Sequence, residues 1–296
     1  MSSSNQRVLH FLSKSFNPLV LSKFTILFYL VFVNIFVIKA TPDILLIEFM
    51  LFVLAWKKAR SKQYLSVWIP FVAAFLLYEF LRGYVDDIAP FKQQTLFSVY
   101  LLENYLFGQT STAFFQSLFV HNIWLVPICT FFYGLFFVYS FGVAFIVWYR
   151  DSNLFRSYSL RFILMTYVSL MLFLLIPVAP PWYVSSSLDL GIVRYLYFFS
   201  PFAQKTATVA YYFVYGNAVA ALPSLHTAWP AFSSFFLITR FYKNKWIKLV
   251  LLVPIMIGFS VIMLGEHYIT DVLFGFLLAY LMATYKKPSF RPSPLS

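Results

Sequence analysis

The chain has 296 residues, of which 61% are hydrophobic, 22% aromatic and only 11% charged, with a formal net charge of +12. Soluble domains carry roughly 45–50% apolar and about 25% charged residues. A soluble globular enzyme, a disordered chain and a nucleic-acid-binding domain are therefore excluded as classes, and the apolar total suffices for about six to eight spans of roughly 20 residues.

In chain order, a few basic residues precede an apolar stretch that begins at Phe24 and lacks a small-x-small cleavage site. It reads as a first span rather than a removed signal peptide. Apolar runs predict spans at 24–40, 42–56, 65–82, 123–149, 162–179, 224–240, 247–264 and 267–284. The expectation is an all-α, polytopic integral membrane protein with about eight transmembrane helices. The first two spans are short and carry Asn34 and Glu48. The stretches 83–122 and 180–222 are too polar and broken for clean spans and predict amphipathic or re-entrant helices at the interface. Residues 1–64 form an N-terminal segment with two additional spans, 65–285 the membrane-embedded core, and 286–296, with Pro288, Pro292 and Pro294, a short cytoplasmic tail. Cys129 stands alone in an apolar run, so neither an intramolecular disulfide nor a cysteine metal cluster is expected. No internal repeat is visible.

The charge follows topology. With the N-terminus in the cytoplasm, the inner segments carry Arg7, Lys14, Lys23, Lys57, Lys58, Arg60, Lys62, Arg150, Arg156, Arg161, Arg240, Lys243, Lys245, Lys248, Lys286, Lys287 and Arg291. The outer side carries Lys39, Arg82, Lys92, Arg194 and Lys205. A split of 17 to 5 is the positive-inside pattern for cytoplasmic N- and C-termini. The positive balance reports orientation and contact with anionic headgroups, and nucleic acid is not needed to explain it.

Only four histidines occur. His10 reads as a surface residue of the N-terminal segment, whereas His121, His226 and His267 fall at predicted outer ends of spans. In so apolar a chain, ionisable groups there are candidates for function. The segment Gly265-Glu266-His267-Tyr268-Ile269-Thr270-Asp271 opens the last predicted span. A spacing of four puts His267 and Asp271 on one helix face. The carboxylate then fixes the imidazole tautomer and leaves the other nitrogen as nucleophile or base. The plain alternative is a polar pair that packs two helices. The segment Leu222-Pro223-Ser224-Leu225-His226-Thr227 opens the sixth predicted span, with Ser224 at a capping position. A helix start favours a bound anion such as phosphate; the plain alternative is a capping serine and an interfacial histidine. Both starts are predicted at one depth on the outer side. Together they suit phosphoryl transfer through a phosphohistidine. His267 attacks phosphorus, and His226 protonates the leaving oxygen and later activates the acceptor.

At these residues the sequence resembles the type 2 phosphatidic acid phosphatase superfamily of membrane lipid phosphatases. Pro223-Ser224-Leu225-His226 is similar to the family's Pro-Ser-Gly-His motif. His267 and Asp271 match the third motif, as does Ser260, but Val261 stands where the family has arginine, and the first motif, Lys, six residues, Arg-Pro, has no counterpart. The departures resemble the inositol phosphorylceramide synthase (aureobasidin-resistance) branch. So do Tyr78-Glu79-Phe80-Leu81-Arg82-Gly83, His121 with Pro127, and Pro177-Val178-Ala179-Pro180-Pro181-Trp182. The resemblance covers roughly 65–285. It implies a six-helix catalytic core, a histidine nucleophile without metal or other cofactor, and lipid phosphate or phosphodiester substrates.

Phosphate in a low-dielectric interfacial site needs compensating charge. Arg82, which ends a span on the active side, is the best-placed candidate, against an ordinary snorkelling arginine. Lys92, Arg194 and Lys205 are further candidates. His121 is a candidate contact for a substrate hydroxyl, the alternative being a cap for the fourth span. Pro180-Pro181-Trp182 is expected to form a rigid turn with an interfacial anchor. The expected function is a membrane lipid phosphatase or, with an alcohol acceptor, a phosphotransferase of the inositolphosphotransferase type. Its partners are the bilayer and a lipid with a phosphate or phosphodiester headgroup, and its site faces the extracytoplasmic or lumenal side. The alternatives are a metal-dependent prenyl- or diphosphate-lipid enzyme using Glu79, Asp86, Asp87 and Glu103, a metal site of His226, His267 and Asp271, and a transporter.

Overall fold

The computed structural model describes residues 62–119, 122–197, 217 and 219–285. The predicted spans at 24–40 and 42–56 and the tail 286–296 lie outside the described residues. The described residues fall in two compact units: 62–70 belong to one, and 71–119, 122–197, 217 and 219–285 to the other.

The described elements are helical: α1 (Lys62–Ile88), α2 (Lys92–Thr95), α3 (Ser98–Phe107), α4 (Ser111–Phe119), α5 (Leu125–Arg150), α6 (Ser152–Leu175), α7 (Pro181–Leu188), α8 (Leu225–Arg240), α9 (Leu252–Met263) and α10 (Ile269–Thr284). Short 3-10 turns occupy Tyr195–Tyr197 and Lys245–Leu251. Strand structure among the described residues is limited to one isolated parallel bridge, Val178 with Ala220. Among the described residues, four helical stretches are long and apolar enough to cross a membrane: Leu65–Ile88, Leu125–Arg150, Ser152–Leu175 and Lys245–Met263. Ile269–Thr284 is a shorter apolar helix. The described part is thus all-α, with several helices long and apolar enough to cross a membrane, and the segment predicted to be broken, 83–122, divides beyond Ile88 into the short helices α2, α3 and α4.

The helix limits have local causes. α6 begins at Ser152, ten residues before the predicted start at 162. Asp151, extended at φ −150°, accepts the Asn153 and Leu154 N–H groups on Oδ1 at 2.8 and 3.1 Å and so caps the helix. Arg156 and Arg161 dilute the apolar run without interrupting the helix, and Arg161 donates to the Ala283 carbonyl at the end of α10. α6 stops at Leu175 because Ile176 precedes Pro177, which disfavours helical backbone there.

Inside the second unit, aromatic rings of four helices interlock. Phe75 of α1 packs edge-on to Phe141 of α5 with centroids 5.2 Å apart and lies 5.3 Å from Trp229 of α8. Phe162 of α6 lies 5.7 Å from the same Trp229. Several buried polar side chains among these rings are paired, as a bilayer favours. Trp229 Nε1 donates to Thr166 Oγ1 at 3.0 Å, and Tyr158 Oη donates to the Ser140 carbonyl at 3.0 Å and meets Ser233 Oγ at 2.7 Å. α8 and α10 pack closely where α10 carries Gly275. A Cβ there would lie 2.6 Å from the Ser224 carbonyl oxygen and 2.7 Å from Thr227 Oγ1. This crossing brings the starts of α8 and α10 together.

Candidate active site

The start of α10 is built by carboxylates. Asp271, at the third helical position, accepts the Tyr268 N–H on Oδ2 at 2.9 Å. Glu103 of α3, fully buried, reaches the same helix start: Oε1 accepts the N–H and the hydroxyl of Thr270 at 3.0 and 2.9 Å. Its Oε2 accepts the N–H and hydroxyl of Ser111 at 2.8 and 2.7 Å, which caps α4 as well. Ser111 Oγ in turn accepts the Ile269 N–H at 2.9 Å. The exposed donors of a helix start and its positive end are thereby committed to fixed internal acceptors. His267 lies just before this helix rather than on it, since the N-cap is Tyr268. That corrects the expectation that His267 and Asp271 share a helix face: the i, i+4 pairing persists, but as part of the cap. His267 Nδ1 meets Asp271 Oδ2 at 3.3 Å. The His267 backbone is held by the Val261 carbonyl, which accepts its N–H at 3.2 Å, and by Thr112 Oγ1, which donates to its carbonyl at 3.1 Å.

α8 supplies the second histidine. Ser224 is the N-cap, and its N–H donates to the Asp271 carbonyl at 3.0 Å, tying the two helix starts together. Its hydroxyl does not cap α8, contrary to expectation. Ser224 Oγ is fully buried and has no hydrogen-bond partner among the described residues, as is also true of Asp271 Oδ1. His226, in the first turn, is partly exposed and directs Nδ1 at His267 Nε2, 3.0 Å away. Tyr133 and Phe136 of α5 flank its ring at centroid distances of 4.8 and 4.7 Å. The outcome is one chain, His226–His267–Asp271, with His267 at 4% and Asp271 at 0% exposure.

Two arginines bring positive charge to this chain, and the fields of both act on His226. Arg82 of α1 is braced by Glu79, with Nη2 to Oε2 at 3.0 Å, and its carbonyl accepts from Asn217 Nδ2 at 3.0 Å. Arg194 is braced by Glu266, with Nε to Oε1 at 2.6 Å and Nη2 to Oε2 at 3.0 Å, and stands 4.2 Å over the Trp182 ring. The run Pro177–Trp182 is stitched into the same end of the bundle. Val178 N–H donates to the Val219 carbonyl, Ala179 N–H to the Leu96 carbonyl, and Trp182 N–H to the Gly265 carbonyl.

Of the residues expected from sequence, His226, His267, Asp271, Ser224 and Arg82 come together at this end of the bundle. His121 and Lys205 lie outside the described residues. Lys92 turns to Asp86, 3.5 Å away. Glu103, Thr112, Gln116 and Glu266 were not assigned the positioning roles they have, since their partners are distant in sequence. The available signal was scarcity: with ten carboxylates in the chain, a glutamate adjoining His267 is itself informative.

A protein-family model described as the PAP2 superfamily matches residues 97–285, more than half of the chain. The chain belongs to the PAP2 superfamily. Comparison with curated proteins and with solved structures finds no match. The matched region of this PAP2-superfamily protein contains His226, His267 and Asp271, with Glu103 and Arg194; Arg82 precedes it. Membership supports a phosphatase-type lipid enzyme and agrees with the apolar helices of an integral membrane protein. Three of the four acids of the diphosphate–metal reading have protein partners: Glu79 holds Arg82, Asp86 faces Lys92, and Glu103 bridges α4 and α10.

Proposed function

We propose that the protein cleaves a phosphoester of a membrane lipid through a phosphohistidine on His267, and passes the phosphoryl-bearing group to water or to an alcohol. The observation that carries this reading is the chain His226 Nδ1, His267 Nε2 at 3.0 Å, His267 Nδ1, Asp271 Oδ2 at 3.3 Å, buried at His267 and Asp271. An ionised Asp271 accepts the Nδ1 proton of His267, which leaves the lone pair on Nε2. That lone pair forms the N–P bond as the P–O bond to the leaving group breaks, and His226, protonated on both nitrogens when the anionic substrate is bound, gives one proton to the departing oxygen and is left neutral. In the second half, His226 takes the proton of the incoming hydroxyl as its oxygen attacks phosphorus and the N–P bond breaks. Arg82 compensates phosphate charge, and Ser224 offers its unpartnered buried hydroxyl as a further contact. The aureobasidin-resistance-like features favour an alcohol acceptor, as in an inositolphosphotransferase. No metal takes part in these steps, and the site faces the extracytoplasmic or lumenal side.

The test is one assay of the purified, reconstituted protein. Lipid phosphates, phosphoinositides and hydroxylated acceptor lipids are supplied with and without a chelator, and free phosphate and new phospholipid are both followed. Turnover that survives the chelator and disappears in His267→Ala and Asp271→Asn is expected. Wild-type turnover in either variant overturns the phosphohistidine reading. Free phosphate without any lipid product in excess acceptor assigns the protein as a phosphatase.

A further inference from the structure

The segment that carries Arg194 is fastened to the residues just before His267 by a set of hydrogen bonds with no counterpart in local sequence spacing. Gln116 of α4 forms its centre. Its Nε2 donates to the Val193 carbonyl at 2.8 Å and to the Met263 carbonyl at 2.9 Å, while its Oε1 accepts the Val193 N–H at 3.0 Å. Tyr195 N–H donates to the Leu264 carbonyl at 3.0 Å. Gly265 lies against the same strip with a left-handed φ of +83°, and a Cβ at this position would stand only 2.7 Å from the Val193 carbonyl oxygen. Residues 193–195 therefore run alongside 263–266, and Arg194 is fixed opposite Glu266, the neighbour of His267.

The arginine itself is held on two sides. Glu266, 7% exposed, takes Nε and Nη2, and the Trp182 ring lies under the guanidinium at 4.2 Å. A guanidinium has five N–H donors in a planar fork. A carboxylate on one edge and an aromatic face below fix its plane opposite the residue that precedes His267. Holding an arginine this firmly beside a nucleophile has a chemical use: it places positive charge before the substrate arrives, so little reorganisation accompanies phosphate binding. Bundle packing alone does not call for a charged fork at this position, because Gln116 and the backbone bonds already fasten the segment.

We propose that Arg194 is a second anion-binding arginine of this site, acting with Arg82 on the phosphate group, and that Glu266 and Trp182 are its positioning residues. The proposal deepens the phosphohistidine reading, so its test includes an arm independent of turnover. In that arm, inorganic phosphate and orthovanadate are titrated against the purified full-length protein, and protection from thermal unfolding gives the half-saturating concentration. In the other arm, the kcat and KM of lipid turnover are measured for the same variants.

Arg194→Gln is expected to raise the half-saturating phosphate concentration roughly ten- to a hundredfold, the loss typical of a charge-assisted contact. Arg194→Lys keeps the charge but not the fork, and is expected to recover only part of the loss. Glu266→Gln and Trp182→Leu are expected to weaken phosphate binding several-fold while the unliganded protein keeps its fold. Lys243→Gln, exposed in the loop after α8, leaves binding unchanged. Wild-type phosphate binding in Arg194→Gln overturns the proposal, as does full recovery by lysine. If Arg194→Gln fails to fold, Arg194→Lys and Trp182→Leu decide in its place, and unaltered binding in both overturns it. Absence of lipid turnover in the wild-type protein, with the binding losses intact, rejects the enzymatic reading and leaves the arginine assignment standing.

Discussion

In the proposed mechanism, His226 sits on the lone pair that His267 needs. With His267 Nδ1–H donating to the ionised Asp271, the 3.0 Å contact is an N–H of His226 Nδ1 donating to His267 Nε2. Phosphorus reaches Nε2 only by displacing that proton, and the displaced imidazole then stands beside the leaving oxygen it is to protonate. Acid catalysis of this kind contributes about 10²–10⁴-fold, and only where the leaving group needs a proton. His226→Ala should therefore lose about 10²-fold or more with a lipid alkoxide leaving group. With p-nitrophenyl phosphate, whose leaving phenolate departs unprotonated, the loss should be much smaller. His267→Ala should lose activity on both substrates. Comparing kcat/KM across the two leaving groups checks the assignment, and equal losses for His226→Ala would contradict it. Asp271→Asn offers a second test. Its amide oxygen can still accept from Tyr268 N–H and His267 Nδ1, as Asp271 Oδ2 now does, but the negative charge that orients and stabilises the His267 imidazole is removed. A kcat reduced by about 10²–10⁴-fold with little change in KM is expected from steady-state kinetics.

At the scale of elements, the site depends on α8 and α10 crossing at contact distance. A methyl group on Gly275 would meet the Ser224 backbone oxygen at 2.6 Å, and a backbone atom cannot rotate away. Gly275→Ala should force the helices apart, cost about 1–3 kcal/mol by overpacking, and stretch the Ser224 N–H to Asp271 carbonyl bond that ties the two starts. A lower Tm in detergent together with a lower kcat checks this. Glu103 joins α3 to α4 and α10 in the same way. Glu103→Ala leaves the Ser111 and Thr270 N–H groups without their acceptor, at about 1–3 kcal/mol each. Sequence reading reached His226, His267 and Asp271 because their chemistry is carried by short spacings and because charge is rare in this chain. It did not reach Glu103, Thr112 or Gln116 as supports. Thr112 and His267 are 155 residues apart, Glu103 and Thr270 are 167 apart, and no local period encodes such a pairing. The helix face expected for His267 failed for a related reason: Asp271 commits its oxygen to the Tyr268 N–H, so the helix begins after the histidine.

At the scale of the molecule, the described bundle is polar in the sense of charge. Arg82, the starts of α8 and α10, and the Pro177–Trp182 run gather at one end, joined by the Asn217 to Arg82, Val178 to Val219 and Trp182 to Gly265 bonds. The opposite ends of the helices carry Arg150, Arg156, Arg161, Arg240 and Lys243, and Arg161 there closes on the Ala283 carbonyl of α10. An excess of cations at the end remote from the site leads, under the positive-inside rule, to the expectation that the site faces away from the cytoplasm. The orientation is testable because the sole cysteine, Cys129, is buried at 3% exposure within a cluster of Val126, Leu196, Met263 and Leu264. In a Cys129→Ala background, single cysteines are introduced as Ser187→Cys, exposed near the end of α7, and Lys243→Cys, exposed after α8. Sealed vesicles with the cytoplasmic face outward are treated with a membrane-impermeant maleimide. Lys243→Cys should label at once and Ser187→Cys only after the vesicles are opened. The reverse order would place the histidine pair on the cytoplasmic side and would remove the charge asymmetry as a guide to where this site meets its lipid.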